Sequence, residues 1–280
     1  MPITVKTFAT PGRSGRALSA DRAARFLGGG TLVMRALNEG DMLDLDRRAR
    51  RPTARFAEIR PAGARVTLGA GVTMAQSHRR TASLRSCTPV ARAVGGPAIR
   101  NMATVGGNLF APRPYGDFTV ALLALDATRG DAGRLRRRAT TPLEEFLANR
   151  ERGRRRLVAS VTFNRPRTPD AFRFRKVARV KPKGISVLSI AAHLPLQRRA
   201  HRRRARRLRR DGADADARQV RSSARSKAAR STQPASRAAA AVGGEGHDPA
   251  TDAIASAWYR REIVGGAPAA PAAGRSDGSA

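Results

Sequence analysis

Two glycine-rich stretches hold the residues of this 280-residue chain best suited to chemistry. The first is "LGGGTL", Leu27 to Leu32, and the second is "ATVGGNL", Ala103 to Leu109. Glycine has no Cβ, so a ligand can reach the backbone N–H groups of such a loop. Consecutive N–H groups then form an anion-binding concavity, and Thr31 and Asn108 are placed to add side-chain bonds. Either loop alone is a weak signal and reads more readily as an ordinary turn. Neither fits the dinucleotide fingerprint G-x-G-x-x-G or the phosphate loop with its lysine. Two such loops at a domain-sized interval point to a split pyrophosphate site. No other set of residues forms a reactive centre. His78, His193, His201 and His247 are scattered without ligand spacing. The single cysteine, Cys87, excludes an internal disulfide, a cysteine-based zinc cluster and an iron–sulfur site of the chain's own. We therefore expect no catalytic acid or base and no metal ligand.

The segments around the loops indicate how they are held. "ITVKTFA" alternates like a strand, and "SADRAARFL" has a serine cap and helical spacing. Residues 65–76, "RVTLGAGVTMAQ", read as a strand, a glycine turn and a helix start. "TPVARAVGGPAIRNMATVGGNLF" predicts a helix ending at Gly95–Gly96 and then a strand. "DFTVALLALDA" has helix length, "TPLEEFL" looks like a helix start, and "RLVASVTFNRP" is a strand, with Pro166 beginning a linker. "AFRFRKVARVKPKGISVLSIAAHLP" reads as two strands around a basic turn that open a second domain. Between 197 and 240 the only larger aliphatics are Leu208 and Val220, with no aromatic. Such a segment buries too little apolar surface to offset its ordering entropy, so disorder is expected. Residues 247–265 look folded again and contain the only tryptophan, Trp258; residues 266–280 read as a disordered tail.

The formal net charge is +34, and of 55 basic residues only five are lysine: Lys6, Lys176, Lys181, Lys183 and Lys227. Lysine is also a good phosphate partner, so selection for phosphate binding would not exclude it. Arginine together with abundant alanine, glycine, proline and serine is what GC-rich codons produce. No apolar run reaches the roughly 18 residues that span a bilayer. The first twenty residues lack the continuous apolar core of a secretory signal, and a cytoplasmic location is expected.

"GGGTL", followed by "IRNMATVGGNLFAPRPYGDFTVALLALDA", resembles the FAD-binding medium subunit of molybdenum hydroxylases. That family includes aerobic carbon monoxide dehydrogenase and the xanthine dehydrogenase-type enzymes. The likeness extends to "RVTLGAGVT", "FRKVARVKPKGISVLSIAA" and "PATDAIASAWYRREIVG". It implies an α+β fold: a two-subdomain FAD-binding module (PCMH-type) over 1–168, split into about 1–58 and 59–168, then a smaller α+β domain over 169–265. It also implies a role for this chain as the flavoprotein component of an oxidoreductase complex, with FAD as cofactor. FAD contacts are implied for Gly28, Gly29, Gly30, Thr31 and Leu32, and for Ala103, Thr104, Val105, Gly106, Gly107 and Asn108. Asp117, preceded by Gly116, is implied to lie near the flavin's sugar-like chain, and Lys176 to approach the isoalloxazine from the second domain. The implied partners are a large subunit with the molybdenum cofactor, a small 2Fe–2S subunit, and an electron acceptor such as NAD or quinone.

Four segments depart from that likeness: roughly 11–16, 77–88, 197–246 and 266–280. All are rich in arginine, serine, alanine, glycine or proline, as local reading-frame slips in GC-rich coding DNA would make them. A second reading takes 198–210, with nine arginines in thirteen residues, as a nucleic-acid arm. Against it, no aromatic lies among the arginines for base stacking and no DNA-binding motif flanks them. A third reading is a degraded paralogue that keeps the flavin fold.

Overall fold

A computed structural model describes residues 4–8, 13, 16–17, 20, 24–40, 48–51, 54–79, 84–112, 114–131, 140–149, 157–168, 171–180, 184–193, 207–210 and 248–266. Strand β1 (Thr4–Thr7), strand β2 (Ala24–Phe26), helix α1 (Thr31–Asn38) and strand β3 (Arg48–Arg51) form the first unit. Its three strands pair in parallel in the order β1-β3-β2. Residues 24–26, read from the sequence as part of a helix, are thus a strand. Their backbone bonds to β3 override a helical spacing that lies in a short, polar segment.

The second unit opens with a 3-10 turn (Ala54–Ala57), β4 (Ile59–Ala62) and β5 (Arg65–Gly69). Helices α2 (Met74–Arg79), α3 (Thr88–Ala93), α4 (Pro97–Met102), α5 (Val105–Leu109) and α6 (Asp117–Ala124) follow. It closes with β6 (Thr128–Asp131), β7 (Thr140–Pro142), α7 (Leu143–Ala148) and β8 (Val158–Asn164). Its sheet is antiparallel throughout, in the order β4-β5-β8-β6-β7. Val66 and Leu68 of β5 and Val161 and Phe163 of β8 face inward at alternate positions. Thr67 and Thr162, opposite each other in register, share a 2.9 Å hydroxyl bond. Where the sequence suggested a strand after Gly96, there are two short helices. Pro97 starts α4, a position its fixed φ favours, and Thr104 caps α5 by accepting from Gly107 N–H. The apolar residues Ile99, Met102, Val105 and Leu109 recur every three to four positions, which is the helical period. Leu84 and Cys87, from a segment that departs from the family likeness, are fully buried in the core. Burial pushes the Cys87 thiol up to about 12, against a weaker opposing bond to Ser86.

The third unit is a three-stranded antiparallel sheet, β9 (Phe172–Ala178), β10 (Ser186–His193) and β11 (Arg207–Arg210), in the order β11-β10-β9, followed by helix α8 (Ala257–Gly266). Residues 207–210 lie within the span expected to be disordered, yet they form the edge strand. Pairing needs only main-chain donors and acceptors, which composition does not report. The rest of 197–246, and the tail after Gly266, lie outside the described residues. Helix α6 is apolar on every side, with Phe118, Val120, Ala121, Leu122 and Ala124 buried. It packs on α5 and α3 and also on β10, so one helix serves the cores of both the second and third units.

Helix α8 is anchored by Arg260, which is 6% exposed. Its Nε donates to Val187 O at 3.1 Å, Nη1 donates to Ala250 O, and Nη2 donates to both oxygens of Asp252 at 2.8 Å. Asp252 also accepts from Ile254 and Ala255 N–H. Burial opposes ionisation of Asp252, but these bonds and the guanidinium charge outweigh it and hold its carboxyl below the ordinary 3.8. A depressed folded-state value contributes stability that is complete above the unfolded value and is lost as pH falls through the folded one. The fluorescence anisotropy of Trp258, on the same helix, is therefore expected to hold steady above pH 4 and to drop below it, as acid frees α8. An anisotropy independent of acid down to global unfolding would contradict this anchor.

Candidate diphosphate site between two glycine loops

The two glycine loops meet. An ideal Cβ on Gly28 would lie 2.6 Å from Thr104 Oγ1 and 3.6 Å from the backbone of Gly107. A Cβ on Gly29 would lie 1.6 Å from Met102 O, far inside any allowed contact. Gly29 is glycine because the first loop presses directly on the backbone that leads into the second. Gly106 has a similar reason, since its Cβ would meet Ala70 at 2.9 Å. Gly107 is different: it is exposed, and its Cβ would meet only Thr104 Oγ1, at 3.0 Å. Of the glycines in the second motif, Gly107 alone leaves room for a ligand against bare backbone.

The first loop ends in a helix start suited to an anion. Gly30, at φ 73°, is the N-cap of α1 and brings no capping side chain. Met34 N–H donates to Gly30 O at 2.8 Å. Ahead of it, the N–H groups of Thr31, Leu32 and Val33 have no acceptor among the described residues. Orphan donors of this kind and the helix dipole both favour negative charge.

The second loop is committed differently. It is strapped to residues 70–74: Met74 N–H donates to Ala103 O at 2.9 Å, Val105 N–H to Val72 O at 2.8 Å and Gly106 N–H to Ala70 O at 2.7 Å. Thr73 and Thr104 face each other in an antiparallel bridge. Thr73 in turn shares a capping box with Gln76, by bonds of 2.8 and 3.2 Å. Gly107 N–H goes to Thr104 Oγ1 at 3.0 Å, Asn108 N–H to Thr104 O at 2.9 Å and Ala103 N–H to Ile99 O at 2.7 Å. The sequence suggested a backbone cradle in both loops. In the second, these N–H groups all serve the protein, and the donors left among residues 103–108 are the Thr104 N–H and hydroxyl and the Asn108 side-chain amide.

Asp117 and Lys176 are brought together in a buried cluster. The Asp117 side chain is 7% exposed and that of Lys176 12%. Lys176 Nζ donates to Asp117 Oδ2 at 2.8 Å and to Ala93 O at 2.9 Å. Ser186 and Ser189 donate to Asp117 Oδ1 at 2.5 and 2.6 Å. Gly116, at φ 115°, is the N-cap that starts α6 at Asp117. Three of the carboxylate's acceptor sites and two of the ammonium's three donors are thus used within the protein. The two serines, three residues apart, would face opposite sides of a regular strand. A β-bulge between Ser186 and Leu188 turns both toward Asp117. Nothing in "SVLSIAA" signals that bulge, which is why sequence reasoning missed the serines. It also missed Arg35 of α1, which bonds Glu39 at 2.7 Å and the Tyr115 hydroxyl, with its guanidinium 6.0 Å from the Tyr115 ring centroid. This exposed contact ties the first loop's helix to the segment before Asp117. Among the described residues no group of three or more His, Cys, Asp or Glu could hold a metal ion, and no helix is long and apolar enough to cross a membrane.

Comparison with known proteins places the chain in a family. The family model described as the FAD binding domain in molybdopterin dehydrogenase matches residues 13–165, more than half of the chain. Among solved structures, quinoline 2-oxidoreductase from Pseudomonas putida 86 contains a chain similar at TM-score 0.72 and 19% identity, covering 95% of this chain and 94% of that one. Carbon monoxide dehydrogenase from Hydrogenophaga pseudoflava, in a form lacking the Mo-pyranopterin moiety of the molybdenum cofactor, is similar at TM-score 0.77 and 16% identity, with 95% and 94% covered. Reconstituted CO dehydrogenase from Oligotropha carboxidovorans is similar at 0.76 and 18%, with 95% of each chain covered. At these identities the structures establish the shared fold. No curated protein matches the sequence significantly.

Proposed function

Because the chain belongs to the family of FAD-binding domains of molybdopterin dehydrogenases, with FAD as cofactor, we propose that it is the electron-transfer flavoprotein subunit of a molybdenum-containing hydroxylase. The observation that carries the reading is the meeting of the two glycine loops. They join a helix start with unclaimed N–H groups to the bare backbone of Gly107. This chemistry fits a diphosphate: donors only, no carboxylate among residues 28–32 and 103–108, and a cradle that a Cβ would fill.

In this reading Gly28 to Leu32 and Ala103 to Asn108 form the walls of the diphosphate site. Thr31, Leu32 and Val33 offer N–H groups, while Thr104 and Asn108 offer side chains. Gly116 places Asp117 at the head of α6, where one remaining acceptor site suits a hydroxyl of the sugar-like chain. Lys176 keeps one N–H for the ligand while its charge is balanced by Asp117. When bound, FAD supplies two-electron redox chemistry at its ring system; the protein supplies position and electrostatics. No side chain in the site acts as a general acid or base.

The implied partners are a large subunit with the molybdenum cofactor and a small 2Fe–2S subunit. Electrons pass from the latter to this chain and then to NAD or a quinone. The test is to mix the FAD-loaded chain with the pre-reduced 2Fe–2S partner and follow the flavin's visible band. The expected result is bleaching on mixing and recovery when NAD or a quinone is added. A band unchanged by the reduced partner would overturn the electron-transfer role.

A further inference from the structure

Asn108 is the second motif's one side-chain amide, and its orientation is fixed by Thr119. The Thr119 backbone N–H lies 2.9 Å from Asn108 Oδ1, and the Thr119 hydroxyl lies 3.0 Å from Oδ1 and 3.0 Å from Asn108 O. A backbone N–H can only donate, so the amide atom facing it must be the oxygen. The hydroxyl shares its single proton between two oxygens of the same residue. The N–H therefore selects the face of the amide, and the hydroxyl, in reach of both oxygens of the residue, fastens it there with Nδ2 turned away from α6. No acceptor among the described residues takes Nδ2, so both its N–H bonds are unclaimed there.

We propose that Thr119 is a positioning residue that locks Asn108 as a donor, and that this amide is how the second glycine motif recognises an anionic diphosphate. The proposal rests on the FAD reading above. It assigns the second motif's selectivity to a side chain because, of the N–H groups of residues 103–108, all but that of Thr104 are already committed within the protein. A free amide could turn its carbonyl outward and lose discrimination; one held at Oδ1 by the Thr119 N–H cannot do so without setting Nδ2 against that N–H and losing its bond.

The experiment measures FAD affinity and melting temperature for the full chain and four variants. Thr119→Ser keeps both donors and should bind like the parent. Thr119→Val keeps the N–H but loses the hydroxyl, and affinity should fall about tenfold, the scale of one hydrogen bond. Asn108→Asp keeps the oxygen that Thr119 needs but turns the outer donor into a charged acceptor. Affinity should fall by about a hundredfold, below that of Asn108→Ala, and the deficit should shrink with added salt as the repulsion is screened. A merely structural role would lower the melting temperature of the variants without ranking Asp below Ala or producing a salt-dependent deficit. Asn108→Asp binding as tightly as Asn108→Ala or better, or Thr119→Val binding like the parent, would overturn the proposal. A parent chain that binds no FAD would instead overturn the reading beneath it.

Discussion

Lys176→Met is expected to lower the unfolding free energy by about 3–5 kcal/mol, the range for removing one partner of a buried ion pair. The pair qualifies on geometry: the side chains are 12% and 7% exposed and the charged atoms are 2.8 Å apart. Without the ammonium, the Asp117 carboxylate stays buried with two serine hydroxyls as its donors, and Ala93 O loses a partner. The cost is the uncompensated charge and not the net worth of the pair. Asp117→Asn combined with Lys176→Met should therefore recover much of the loss. Urea unfolding measures both variants. A single-variant change below about 1 kcal/mol, the range of exposed pairs, would show that solvent reaches the pair. The location makes the effect global. Asp117 starts the helix shared by two cores, and Lys176 and both serines come from the third unit's sheet.

The second large effect separates two glycines that look alike in sequence. Gly29→Ala puts a methyl where Met102 O stands, 1.6 Å away. A backbone oxygen cannot swing aside like a side chain, so the loops must part, and both FAD affinity and melting temperature should fall. Gly107→Val meets only Thr104 Oγ1, at 3.0 Å, on an exposed surface. The fold should tolerate it, yet the new methyls occupy the bare backbone that faces the ligand. Affinity should fall tenfold or more, equivalent to about 1.4 kcal/mol, with little change in melting temperature. Isothermal titration with thermal melts on both variants checks the contrast. Unchanged affinity in Gly107→Val would return "VGGN" to the role of a turn.

Much of this was legible because local chemistry and tertiary role agree. The alternation in "RVTLG" and "VASVTFN" marks strands whose inward residues form the sheet core. "DFTVALLA" is apolar all round because both of its sides are packed. The glycine loops could be found because bare backbone leaves a compositional trace. What was hidden depends on partners distant in sequence. "GGPAIRNMATVGGN" has the apolar density of a strand, but its spacing and Pro97 set helices, and strapping to 70–74 decides where the N–H groups go. No local pattern pairs Asp117 with Ser186 and Ser189, since that needs a bulge. No pattern announces that Thr119 holds Asn108. The strand at 207–210 was masked by its arginine content, which governs side-chain burial but not main-chain pairing.

The central claim, that the two glycine loops together bind FAD, is tested most directly by titrating the full chain with FAD and following heat and the flavin's visible absorbance together. We predict one saturable site, with both signals giving the same affinity and Gly107→Val shifting both. No saturable signal from the folded parent chain, or binding that Gly107→Val leaves untouched, would contradict it.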